Sequence, residues 1–95
     1  MNLRTPISLI LEAVQAKLND AQAKLTATTV SAACAQSSWS SIKELHGFKR
    51  GEDTVIYDET EHKRVAVAYD ADIAAATENV EAWREALHVV MDKFV

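Results

Sequence analysis

The chain has 95 residues, a formal net charge of −4 and an apolar fraction of 48%. That length suits one domain with a modest core, which makes association a common route to added stability. The acidic balance argues against a basic nucleic-acid footprint, and the longest uncharged run, Leu25 to Ile42, holds too much Ser, Thr and Gln for a membrane span.

Two Gly and one Pro leave few turns, so the elements between them should be long and mostly helical. Thr5 is a natural N-cap, and Pro6 at the first helical position loses nothing by lacking its N–H. Apolar residues then recur at alternating steps of four and three: Ile7, Leu11, Val14, Leu18, Ala21, Leu25, Thr28, Ala32, Ala35, Trp39 and Ile42. Thr28 is the one polar member, and the phase predicts a helix over residues 5–47. Gly47 suits the left-handed position beyond the helix end, with Phe48 placed for the accompanying apolar contact. The β-branched run at residues 26–30 is the weak point, where a break would give two helices. The unbroken 4-3 phase favours one helix, ~62 Å long at 1.5 Å per residue.

Thr54–Asp58 and Arg64–Tyr69 are rich in β-branched and aromatic residues, with a polar stretch between them. This pattern predicts an antiparallel β-hairpin over residues 54–69. Asp70 is then the expected cap of a last helix over residues 71–94, with Asp72 in its first turn. Its seam is Ile73, Ala76, Val80, Trp83, Leu87, Val90 and Phe94, all apolar. The predicted class is α+β and helix-dominated, a single domain in the order α-β-β-α, packed as a helical bundle or coiled-coil-like oligomer.

A last helix of ~33 Å reaches only half of the first. Something else must then cover the carboxyl half of the long seam, and a second copy of the chain is the simplest candidate. The interface residues expected on this ground are Leu25, Thr28, Ala32, Ala35, Trp39 and Ile42. No charge occurs from Leu25 to Ile42, whereas a fully solvated helix carries charges on its outer face.

Chemistry-bearing patterns are sparse. No phosphate-binding Gly loop, His-Glu-x-x-His, Cys-x-x-Cys or Gly-x-Ser-x-Gly motif occurs. His46, His62 and His88 have no metal-ligand spacing. They are expected at a helix end, in a polar turn and beside the last seam. Cys34 sits mid-helix among alanines and reads as a packed thiol; a lone cysteine fits a reducing cytoplasm. No secretory leader is expected at the amino terminus. The acids Glu52, Asp53, Asp58, Glu59 and Glu61 lack calcium-loop spacing. No catalytic, metal or cofactor residue is therefore assigned, and no enzymatic activity is expected.

The expectation is a non-catalytic interaction protein, a homodimer or higher homo-oligomer that binds another protein. Its size suits an adaptor, an assembly factor or an inhibitor of the kind phages encode. A second expectation is a small-ligand binder with a pocket between subunits near Ser37, Ser38, Trp39, Ser40 and Ser41. Nucleic-acid binding through Lys43, Lys49, Arg50, Lys63 and Arg64 ranks below both, because acids flank these cations.

Overall fold

The computed structural model describes residues 6–94. Helix α1 spans Pro6–Glu44, two short strands β1 (Lys49–Arg50) and β2 (Asp53–Thr54) follow, and helix α2 spans Glu59–Phe94. The layout is α-β-β-α and dominated by the two helices. The expected Thr5 cap lies outside the described residues, as does the side chain of Phe94.

α1 runs unbroken through residues 26–30. The unbroken 4-3 apolar phase carries it through, and its threonines are accommodated. The Thr28 hydroxyl donates to the carbonyl of Lys24 (2.9 Å), and that of Thr29 to the carbonyl of Leu25 (2.8 Å). Each hydroxyl is thus satisfied inside the helix instead of competing with it.

The hairpin is displaced from its expected position. It does not occupy residues 54–69: Lys49 pairs with Thr54 and Arg50 with Asp53 across a two-residue turn, Gly51-Glu52. Gly51 has φ +64° and Glu52 is not in the positive-φ region, the pattern of a II′ turn, which favours Gly at its first position. Two further bonds extend the ladder, Gly47 N–H donating to Val55 O (2.8 Å) and Val55 N–H to Phe48 O (2.9 Å). Gly47, with φ +86°, turns the chain from α1 into β1.

Residues 64–69 belong to α2, and the last helix starts at Glu59 rather than at residue 71. Asp58, not Asp70, caps it: Asp58 Oδ1 accepts from Glu61 N–H (3.0 Å), and the Asp58 carbonyl accepts from His62 N–H (3.0 Å). Glu59 and Glu61 lie in the first turn, where the helix dipole favours negative charge. The 4-3 spacing seen from Ile73 onward extends backward through Tyr69, Ala66 and His62. Local β propensity at Val65, Val67 and Tyr69 yields to that longer period.

At 36 residues α2 is ~54 Å long, close to the length of α1. The helices pack antiparallel. Leu18, Ala21 and Val80 form the buried cluster, with Leu25, Trp83 and Leu87 packed on it. Farther along, Ala32, Ala35 and Trp39 of α1 and His62, Ala66 and Tyr69 of α2 border one cavity between the helices. Ala76 completes the set of four buried apolar residues among those described. The molecule measures 72 × 26 × 13 Å, so it is one helix layer deep.

Candidate functional site

The six expected interface residues, Leu25, Thr28, Ala32, Ala35, Trp39 and Ile42, are half-buried along the seam between the helices. Because α2 is longer than expected, the premise that the chain cannot reach this segment does not hold. The segment's opposite side is open. Ala27, Val30, Cys34, Ser37 and Ser41 are all exposed, Val30 at 57%. The exposed face of α2 carries Glu78, Glu81, Arg84, Glu85 and Asp92. Residues 25–42 of α1 therefore present an uncharged surface, whereas α2 is charged along residues 78–92.

At the hairpin end, side chains from three elements converge. Trp39 comes from α1, Tyr57 from the segment after β2, and His62 from the first turns of α2. The Trp39 and His62 rings stack, with centroids 5.3 Å apart and planes 8° from parallel. Tyr57 meets both edge-on, at 5.6 Å from His62 and 6.3 Å from Trp39. Edge-to-face geometry sets the positive ring edge against a negative face.

Hydrogen bonds fix the imidazole on both sides. His62 Nε2 lies 3.1 Å from Gln36 Oε1, and His62 Nδ1 lies 2.6 Å from the Tyr57 hydroxyl. An amide oxygen only accepts, so Nε2 donates to Gln36, while Nδ1 and the Tyr57 hydroxyl share the second hydrogen bond. Tyr57 is anchored in turn, its backbone N–H donating to His46 Nδ1 (2.9 Å) and its ring lying 5.8 Å from Lys43 Nζ. Beside this cluster is a cavity of about 270 Å³ between the helices. Its lining includes Trp39, His62, Tyr69 and Asp70.

Sequence reasoning placed His62 in a polar turn and so missed this cluster. The signal was present: Asp58-Glu59-Thr60-Glu61 is a capping pattern, and it sets His62 at the start of the α2 seam. Ser37, Ser38, Ser40 and Ser41 surround Trp39 on exposed positions. Trp83 packs on the buried cluster near the other end.

The cations considered for nucleic acid, Lys43, Lys49, Arg50, Lys63 and Arg64, all lie at the hairpin end, interleaved with acids. Lys63 pairs with Glu59 (3.1 Å), and Arg64 bonds both carboxylate oxygens of Glu61. The Arg64 hydrogen bonds, with its charge, hold the Glu61 carboxyl below its ordinary value against a smaller desolvation effect. Lys49 and Arg50 are exposed on the hairpin, next in sequence to Glu52 and Asp53. Cys34 is exposed rather than packed. Among the described residues no three His, Cys, Asp or Glu side chains gather as a metal would require, and no helix is long and apolar enough to cross a membrane. The chain matches no family model, and no curated protein or solved structure is similar to it.

Proposed function

We propose that this chain is a non-catalytic interaction protein that self-associates through α1 and presents the resulting bundle to another protein. The observation that carries this reading is excess exposed surface. A folded monomer of 10.5 kDa exposes about 5,400 Å² by the usual scaling with mass. This chain exposes 7398 Å². The excess, about 2,000 Å², exceeds the roughly 800 Å² that each partner contributes to a stable interface. A domain ordinarily has two packed layers, and this one has a single layer.

The uncharged outer side of residues 25–42 in α1 is the face that water serves least, which supports it as the contact. Adaptor, assembly factor and inhibitor (including one encoded by a phage) are the roles that fit such a bundle. A cytoplasmic setting suits the exposed, unpaired Cys34.

Ala32 and Ala35 line the cavity between the helices, so a charge there would perturb the packing of α1 on α2. The discriminating variant is Ala27→Glu with Val30→Glu, both on exposed positions. Light scattering at micromolar concentration should show the assembly fall to the mass of one chain, with helical circular dichroism retained. A variant that keeps the parent mass contradicts the assignment to α1. Affinity capture from the native host should then recover a protein partner with the parent and lose it with the variant.

A further inference from the structure

We propose that the cavity beside Trp39 binds a methylated ammonium group. This does not rest on self-association, since one chain supplies every wall. Ala32, Ala35 and Ala66 line the cavity with side chains that end at Cβ. Larger residues at these seam positions would fill the space, so the gap follows from the sequence. Its volume, about 270 Å³, lies just below the usual range of roughly 300–1,000 Å³ for ligand pockets. It admits a head group rather than a large molecule.

Three features set the chemistry. Trp39 and Tyr69 both line the space, and aromatic faces attract cations through the ring quadrupole. Asp70 adds a carboxylate, and no Lys or Arg lines the cavity. That carboxylate also lacks a partner on its own helix: positions three and four residues away are Ala66, Val67, Ile73 and Ala74. Among the described residues Asp70 makes no ion pair. The indole wall is held in advance. His62 stacks on it and is fixed by Tyr57 and Gln36, so little ordering is left for the ligand to impose. Methylation suits the site because a methylated cation is weakly hydrated and gives up less water on meeting a ring. The same group occurs on free cations such as choline and on trimethyl-lysine side chains.

The test is a titration of the full chain at pH about 8, above the ordinary histidine range, followed through the indole N–H signals of Trp39 and Trp83 by NMR. Choline chloride and an acetylated trimethyl-lysine amide are the probes, with sodium chloride added to hold ionic strength constant. Either probe should shift the Trp39 signal saturably, with Kd in the low millimolar range, about 1–10 mM, while Trp83 stays in place. The tighter probe identifies the source as a free cation or a protein side chain. Asp70→Asn should weaken binding about tenfold, as should Tyr69→Leu, which retains apolar bulk without the ring. The proposal is overturned if neither probe gives a saturable shift, if 3,3-dimethylbutanol, the neutral isostere of choline, binds as well as choline, or if Asp70→Asn changes nothing.

Discussion

At the scale of single residues, the hairpin end depends on a few well-partnered groups. Asp58 caps α2, and Asp58→Ala should cost about 1 kcal/mol. Urea unfolding reads that loss, and faster amide exchange at Glu61 would localise it. Glu61 carries a pH prediction whose sign follows from its environment. Arg64 lowers its folded pKa, so its contribution to stability is present above the ordinary glutamate pKa and disappears as pH falls through the lowered one. In a carboxyl-carbon NMR titration Glu61 should lose its charge at lower pH than an unpaired glutamate. Arg64→Gln should move it back toward the others; a titration unaffected by that change would contradict the assigned cause. The pair is solvent-exposed, so its effect on global stability should be small.

At the scale of elements, the two helices were legible because their periodicity is long. Eleven seam positions from Ile7 to Ile42 and seven from Ile73 to Phe94 outweigh any local preference. The hairpin's existence was legible as well, but its position was not. Val55, Tyr57, Val65, Val67 and Tyr69 attract a strand reading through side-chain type alone. The strands that form are Lys49–Arg50 and Asp53–Thr54, charged and short, and what selects them is Gly51 at the first position of a tight turn. Turn geometry decided the pairing where propensity did not. The Gly51→Ala variant, which places a Cβ at φ +64°, should therefore destabilise the hairpin by about 1 kcal/mol. Loss of the cross-strand signals between Lys49 and Thr54 in NMR would show it. The candidate site suffered the same displacement. Trp39 was marked as an aromatic of interest, yet its partners Tyr57 and His62 had been assigned to a strand and a loop.

At the scale of the whole molecule, shape is the central fact. The radius of gyration is 21.6 Å, against about 12 Å for a globular chain of this length. Only Leu18, Ala21, Ala76 and Val80 are buried among the described residues. Leu9, Val30, Phe48, Ile56 and Val67 are each more than half exposed. An antiparallel pair of helices can align a seam but leaves both of its flanks open. A second layer removes that apolar surface from water at roughly 25 cal/mol per Å². A last helix over residues 71–94 would be too short to cover the first; α2 is long enough, and association follows instead from exposed area and from the uncharged outer face of residues 25–42 in α1.

Sedimentation equilibrium of the full chain across the micromolar range tests this account most directly. A species of at least twice the 10.5 kDa chain mass, dissociating on dilution, is the predicted result. A single species of one chain mass at every concentration would contradict it.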